Sequence, residues 1–215
     1  MKPKDWVLFV ALGLIWGSSF LWIKIAVREV DAFTLVGWRL LFGTLGMVAV
    51  IALRRPPFPR RRSIWLALAL LGIINTALPF VLISWGQKTI DSAVASILNS
   101  TVPLFTMVIA HFVLHDEPIT ARKAVGLVIG FGGVLALLAR DLEAGNLGVG
   151  ILGQAAVLLA AVSYASASVF ARRTMREVSP LVQAFVPMAI ADAIVWTAAT
   201  QVGNPGRLPA LPLTW

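Results

Sequence analysis

The chain has 215 residues, of which 59% are hydrophobic and only 13% are charged, and its mean hydropathy is +0.87. Soluble domains average about 45–50% apolar and 25% charged residues, so this composition excludes disorder, a nucleic-acid-binding domain and an ordinary soluble enzyme. The net charge of +8 would indicate acidic partners in a soluble protein, but here it indicates cytoplasmic loops that face anionic lipid. The lipid bilayer is therefore the first expected partner, and no nucleic acid is expected.

A transmembrane helix needs about 20 mostly apolar residues, and seven stretches of the chain qualify. The first is too long for the apolar core of a signal peptide, about 7–15 residues, so we expect it to be retained. The predicted fold is an all-α integral membrane protein with seven transmembrane helices. The fifth helix contains several glycines, and such small residues predict close packing against a neighbouring helix. They are Gly126, Gly130, Gly132 and Gly133. The predicted helices cover residues 6–27, 33–53, 64–85, 93–114, 124–139, 151–171 and 181–200.

Basic residues predict the orientation, because cytoplasmic loops carry an excess of lysine and arginine. With the N-terminus in the cytoplasm, twelve basic residues fall in inner segments and four in outer segments. We therefore expect a multi-pass protein of the cell membrane with a cytoplasmic N-terminus. The inner residues are Lys2, Lys4, Arg54, Arg55, Arg60, Arg61, Arg62, Arg122, Lys123, Arg172, Arg173 and Arg176, and the outer ones are Arg28, Lys88, Arg140 and Arg207.

A weak internal repeat relates the sixth predicted helix to the first, at a shift of 148 residues. Five crossings separate the two copies, so they would face opposite ways across the membrane, as in the inverted repeats of secondary transporters. We expect a complete first unit of five helices over residues 1–140 and an incomplete second unit over residues 150–215. The tail, residues 203–215, is rich in proline and glycine and is typical of a loop, so the chain is expected to lack about three further helices. The matched residues are Trp16 and Tyr164, Ser18 and Ser166, Lys24 and Arg172, and residues 28–30 and 176–178.

Several short motifs occur in a characteristic order along the chain, and with them the chain resembles the EamA family of the drug/metabolite transporter superfamily. The resemblance implies ten helices in two inverted five-helix units, a central substrate cavity, and transport of small metabolites without a cofactor. The motifs are WGSSF at 16–20 followed by Lys24, Arg39, AVASILNSTVP at 93–103, HDEPIT at 115–120 before Gly126, SYA at 163–165, Arg172-Arg173 and Ser179-Pro180.

Arg39 is the strongest candidate for a binding residue, because a charge within a membrane helix is costly and usually faces a cavity or a partner. Its guanidinium could bind a substrate carboxylate or phosphate in a bidentate manner, or it could bond backbone carbonyls. Lys24 could face the same cavity or extend to the headgroups. Trp16 lies on one helical stripe with Lys24 and is a candidate cavity wall.

Polar residues beside prolines mark a second candidate region. Asn75 lies four residues before Pro79, and a proline within a membrane helix frees a carbonyl that other groups must satisfy. Such interruptions favour a binding cavity, although small polar residues also serve helix packing. The corresponding cluster in the fourth helix comprises Asn99, Ser100, Thr101 and Pro103.

Asp192, in the middle of the seventh helix, is a candidate ion-coupling carboxylate. It could equally be a neutral acid bonded to a neighbour, or face helices beyond the chain.

His111 and His115 share a helical face, but no third ligand is evident, so we expect no metal site.

The leading interpretation is a permease that moves small metabolites, amino-acid-like or drug-like, by alternating access. The alternatives are a non-transporting fragment, or a half that needs a partner chain. A membrane-embedded enzyme is a remote third, since the sequence has no cysteine and no G-x-S-x-G motif. A homodimer is left open.

Overall fold

The computed structural model describes residues 3–114, 116–143 and 149–202, and every regular element within these ranges is helical. Seven helical segments are long and apolar enough to cross a membrane, which confirms the predicted fold class. The elements are α1 (Pro3–Ala26), α2 (Ala32–Arg54), α3 (Arg62–Gly72), a π turn (Ile73–Ala77), α4 (Leu78–Gly86), α5 (Ser92–Asn99), α6 (Val102–Val113), α7 (Ala121–Glu143), α8 (Val149–Thr174) and α9 (Pro180–Val202).

We number the seven membrane spans first to seventh along the chain. Five of them are single helices, whereas the third joins α3, the π turn and α4, and the fourth joins α5 and α6. Both composite spans therefore contain an interruption at membrane depth. The spans are Lys4–Ala26, Ala32–Arg54, Arg62–Gly86, Ser92–Val113, Ala121–Ala139, Gly150–Thr174 and Pro180–Val202.

Pro79 explains the interruption of the third span. In the π turn Ile73–Ala77, the backbone N–H of Leu78 bonds the carbonyl of Ile73, five residues back. The next bond in that pattern would run from residue 79 to Ile74, but proline has no N–H to donate. The hydroxyl of Ser163, on the sixth span, donates to the Ile74 carbonyl instead, at 2.6 Å. A side chain from a neighbouring helix thus satisfies the carbonyl that the proline leaves free.

Pro103 interrupts the fourth span in a related way. The helix breaks at Ser100 and Thr101, and both hydroxyls turn back onto carbonyls of the preceding helix. Ser100 Oγ donates to the Ile97 carbonyl and Thr101 Oγ1 to the Leu98 carbonyl, each at 2.6 Å. The predicted interruption is present, and its own hydroxyls satisfy the backbone around it.

The third, sixth and seventh spans form the centre of the bundle. The second span packs on the seventh, the third lies against both the sixth and the seventh, and the fourth packs on the sixth. The first and fifth spans are peripheral and share few contacts with the rest. The interrupted third and fourth spans both lie against the sixth span, and the third also lies against the seventh. A site formed by the interruptions therefore faces these central helices.

The close helix contacts do not occur where the fifth-span glycines predict them. A Cβ atom on Gly126 would meet nothing within 4 Å, nor would one on Gly132 or Gly133; on Gly130 it would lie 2.6 Å from Leu104. The tight crossing instead joins the third and sixth spans, where a Cβ on Gly86 would lie 2.6 Å from the Gly153 carbonyl oxygen. Within the part of the chain that the structure describes, the expected close packing occurs at Gly130 alone, because the fifth span is peripheral there.

Candidate substrate cavity

Two adjoining cavities of about 280 Å³ and 490 Å³ lie within the bundle. Four side chains line both cavities: Trp16, Phe80, Asn99 and Tyr164. They come from the first, third, fourth and sixth spans, so four helices meet at one place. Together the two spaces are of the size that small-molecule sites usually have, about 300–1,000 Å³.

Arg39, on the second span, lines the smaller cavity. Its guanidinium carbon lies 5.2 Å from the centre of the Phe80 ring, a cation–π contact. Tyr164 lies close enough to interact with it electrostatically. Among the described residues no acid lines either cavity, and the ion pairs all involve other arginines and lysines. The positive charge therefore faces a largely apolar space without a carboxylate.

Both helix interruptions border the larger cavity. Asn75 and Thr76 of the π turn line it, as do Asn99 and Pro103 of the fourth span. The side-chain oxygen of Asn99 has no hydrogen-bond partner among the described residues. The two adjoining cavities together thus combine one cationic donor, Arg39 in the smaller one, with amide groups that can accept or donate hydrogen bonds.

Two predicted members of the fourth-span cluster lie elsewhere. Neither Ser100 nor Thr101 is among the residues that line the two cavities. Ser100 is exposed and Thr101 is buried, and each uses its hydroxyl for the backbone bond described above. Their placement matches a structural role around Pro103.

Lys24 is also directed away from the cavities. Its Nζ donates to the carbonyls of Gln87 and Ile90, both at 2.8 Å. Gln87 is the residue at which α4 ends and Ile90 lies in the turn after it, so the lysine satisfies a carbonyl that the helix leaves free and one of the following turn. The structure therefore places Lys24 as a cap on the third span, and we leave it out of the proposed site.

Asp192 lies at the contact between the second and seventh spans, beside Thr44 and Trp196. It is only 8% exposed, and it does not line either cavity. Its Oδ1 atom makes no hydrogen bond among the described residues. Asp192 is therefore placed in a helix contact and not beside the space that a ligand would occupy.

The described residues contain no cluster of three or more side chains that could hold a metal ion. His111 lies against the backbone of Glu117 and Ile119, at 3.3 Å in each case. His115 and the tail 203–215 lie outside the described residues.

A cluster of ion pairs joins the fourth-to-fifth loop to the end of the sixth span. Arg172 donates to Glu117 at 2.6 Å and to Asp116 at 2.8 Å, and Lys123 lies 3.3 Å from Glu117. The hydrogen bond from Arg172, followed by that from Lys123, holds the pKa of Glu117 below its ordinary value. The Glu-Pro motif of the sequence is thus tied to the first residue of the Arg172-Arg173 pair.

Phe80 and Tyr164 line both cavities, and neither was among the site residues predicted from the sequence. An aromatic side chain in a membrane helix looks the same in sequence whether it faces lipid or a cavity. For Tyr164 a signal did exist, because the repeat pairs it with Trp16. For Phe80 the sequence offers only its position one residue after Pro79.

The fold and the cavity define a multi-pass membrane protein that contains a ligand-sized space beside a partly buried arginine. The chain belongs to the EamA-like transporter family, whose family model matches residues 5–139. This confirms the family resemblance that the sequence motifs carry.

Curated relatives of the chain bear transporter names. The chain is 29% identical to the uncharacterized inner membrane transporter YedA of Escherichia coli K12, over 94% of the chain and 63% of the relative. It is 25% identical to the uncharacterized transporter YoaV of Bacillus subtilis, over 79% of the chain and 57% of the relative. An uncharacterized transporter of Archaeoglobus fulgidus is 26% identical, over 83% of the chain and 61% of the relative. The chain thus spans less than two thirds of the length of these relatives, and no solved structure matches it.

Proposed function

We propose that the chain carries the substrate cavity of a membrane transporter for small amphipathic metabolites that bear an anionic group. The observation that supports this most strongly is Arg39, which faces a largely apolar cavity whose described lining residues include no acid to neutralise it. A guanidinium in such surroundings is well suited to a carboxylate or phosphate, which it can bind through two parallel hydrogen bonds.

The remaining lining narrows the class of ligand. Trp16, Phe80 and Tyr164 supply aromatic surface, which favours a ligand with an apolar portion. Asn99 has a side-chain oxygen without a partner, and it could accept a hydrogen bond from a ligand ammonium group. An amino-acid-like or drug-like acid meets these conditions, whereas a purely cationic ligand does not.

Alternating access is the mechanism that we propose for the movement. The repeat of residues 1–140 and 150–215 would let one unit rock against the other around the cavity. Interrupted helices that border a site near the membrane midplane are typical of such transporters, and here the interruptions of the third and fourth spans both border the larger cavity. The coupling ion is left open, with Asp192 as the candidate carboxylate.

Thiol labelling can test the cavity directly, because the chain has no cysteine of its own. Ser19 lines the smaller cavity and Ser168 the larger one. We expect a water-soluble maleimide to label Ser19→Cys and Ser168→Cys, and a bound amphipathic acid such as phenylalanine or an aryl carboxylate to slow that labelling. Ser63→Cys, exposed at the start of the third span, is the matched control and should label at the same rate with and without ligand.

Uptake into vesicles then tests the transport itself. An acid that slows the labelling should accumulate in vesicles that contain the protein and not in empty ones. If no member of a panel of amphipathic acids protects either cysteine, the proposed substrate class is wrong. Protection without accumulation would keep the binding site and contradict transport by this chain alone.

A further inference from the structure

A third cavity, of about 490 Å³, lies at the end of the bundle that carries the basic loops. It opens between the loop that follows the second span and the turn that joins the sixth and seventh spans. Four arginines line it, namely Arg60, Arg61, Arg173 and Arg176, together with a single acid, Glu177. It is thus far more positive than the cavity around Arg39, and it shares no lining residue with it.

Two sets of contacts shape the walls of this basic pocket. On one side, the indole N–H of Trp65 donates to the Pro59 carbonyl at 2.9 Å, and the Phe58 ring stacks on Trp65 with a 5° angle between the planes. On the other side, the Gln183 amide donates to the carbonyls of Met175 and Val178 at 3.0 Å and 2.7 Å. The loop and the turn are therefore both held to the ends of the spans.

The base of the pocket is apolar and well packed. Ile64 and Val178 line it and belong to the cluster that joins the third, sixth and seventh spans. This packing brings arginines from two loops that are distant in sequence to opposite sides of one space. Other members of the cluster are Leu68, Leu71, Met175 and Val182.

The arginines of the pocket are available to an anion. None of the ion pairs among the described residues involves Arg60, Arg61, Arg173 or Arg176. Arg61 also precedes the first residue of α3, and no side chain caps that helix start. The free N–H groups and the positive end of the helix dipole add to the attraction for a negative ligand.

The pocket lies at the level where the spans leave the membrane. The third span begins at Arg62, the sixth ends at Thr174 and the seventh begins at Pro180. A phospholipid headgroup in the adjacent leaflet lies at this depth, with its acyl chains beside the apolar ends of the helices. Basic pockets between membrane helices on the cytoplasmic side bind such headgroups.

We propose that this pocket binds the phosphate of an anionic phospholipid from the adjacent leaflet. Arginines from both walls form charge-assisted hydrogen bonds to the phosphate oxygens, and Ile64 and Val178 contact the glycerol and the first part of an acyl chain. Bound lipid then ties the second-to-third loop to the sixth-to-seventh turn. The proposal does not depend on the substrate or on transport.

The test measures the melting temperature of the purified chain in an uncharged detergent with added lipid. Phosphatidylglycerol should raise Tm, because a ligand that binds only the folded state stabilises it. Phosphatidylcholine, which has a phosphate but no net charge, should give a much smaller shift. Inorganic phosphate and glycerol 3-phosphate at equal concentration distinguish a free phosphate from a lipid, and both should leave Tm unchanged.

A pair of double variants separates the pocket from general charge attraction. The double variant that carries Arg61→Gln and Arg173→Gln should lose at least half of the rise in Tm that phosphatidylglycerol causes. Arg54→Gln with Arg55→Gln removes the same charge from the same end of the protein but outside the pocket, so it should keep the full shift. The lysine versions, Arg61→Lys with Arg173→Lys, keep the charge and should retain an intermediate shift.

Three results would overturn the proposal. An equal loss in both glutamine variants would mean diffuse attraction to the whole basic end. An equal shift from phosphatidylcholine would mean a general lipid effect, and an equal shift from inorganic phosphate would mean a soluble anion. If the glutamine variant of the pocket does not purify as a monodisperse protein, the lysine variant with native mass spectrometry of retained lipid decides. If the lysine variant and the Arg54→Gln/Arg55→Gln control retain the same number of phosphatidylglycerol molecules with the same affinity, that result contradicts the pocket.

Discussion

Trp16 and Tyr164 lie 148 residues apart in the chain, and both line the same two adjoining cavities. They come from the first and sixth spans, the two helices that the internal repeat relates. In an inverted repeat, equivalent residues of the two units approach a shared site from opposite sides. Their convergence is therefore what the proposed repeat would produce.

This pairing predicts that both aromatic side chains contribute to ligand binding. Trp16→Ala and Tyr164→Ala should each weaken the binding of an amphipathic acid about tenfold, since an aromatic contact of this kind contributes on the order of 1.4 kcal/mol. Trp22→Ala is the control, because Trp22 lies on the same span and is about as exposed as Trp16, at 51% against 58%, but lines neither cavity. The measurement is the Kd of each purified variant. Equal weakening by all three substitutions would mean that loss of an aromatic side chain acts through the fold.

The crossing of the third and sixth spans predicts a large effect of one added methyl group. Gly86→Ala should lower stability by about 1–3 kcal/mol, the usual cost of overpacking, because its Cβ would meet the rigid Gly153 carbonyl oxygen at 2.6 Å. Gly126→Ala should leave stability unchanged or slightly raised, since its Cβ would lie in open space. Denaturant or thermal unfolding of both variants measures the difference. Two equally stable variants would contradict the close contact.

The ion pairs of Glu117 predict a specific change in its titration. The pKa of this carboxyl lies below its ordinary value because of Arg172 first and Lys123 second, so the ion pairs stabilise the fold above that ordinary value. The stabilisation is lost as the pH falls through the lowered pKa of the folded state. Arg172→Gln should move the pKa of Glu117 up towards 4.5.

Carbon NMR of protein with labelled glutamate measures this pKa, with Glu117→Gln to assign the signal. Arg122→Gln is the control, because Arg122 lies in the same region but makes no ion pair among the described residues. A Glu117 titration that is the same in wild type and Arg172→Gln would contradict the arrangement at the end of the sixth span.

The distribution of basic residues predicts that the loop after the second span lies in the cytoplasm. The basic pocket adds to this, because it brings that loop together with the arginines of the sixth-to-seventh turn at one end. A reporter that fluoresces only in the cytoplasm should be bright when fused after Pro59 and dark when fused after Lys88. The reverse pattern of fluorescence would contradict the predicted orientation.

The seven spans could be predicted because each is a long apolar segment bounded by polar residues, and this signal is local in sequence. Arg39 and Asn75 could be selected for the cavity because charge, and polarity beside a proline, are costly in lipid. Other features depend on tertiary contacts that no local pattern encodes. The carbonyls that accept from Lys24 lie 63 and 66 residues away, and Ser163 bonds a carbonyl 89 residues away. Phe80 was missed for the same reason, because only packing decides whether an aromatic ring faces lipid or a cavity.

The central claim is that Arg39 recognises the anionic group of the ligand, and four dissociation constants test it most directly. An amphipathic acid and its uncharged amide, for example an aryl carboxylate and the corresponding aryl carboxamide, are each titrated against the wild type and Arg39→Ala. The charge contact with Arg39 should make the wild type prefer the acid by about 30-fold, from roughly 2 kcal/mol. Arg39→Ala should bind both ligands with nearly equal affinity, and Arg39→Lys should recover only part of the preference, because lysine lacks the planar fork. An acid preference that persists unchanged in a folded Arg39→Ala variant would contradict the claim.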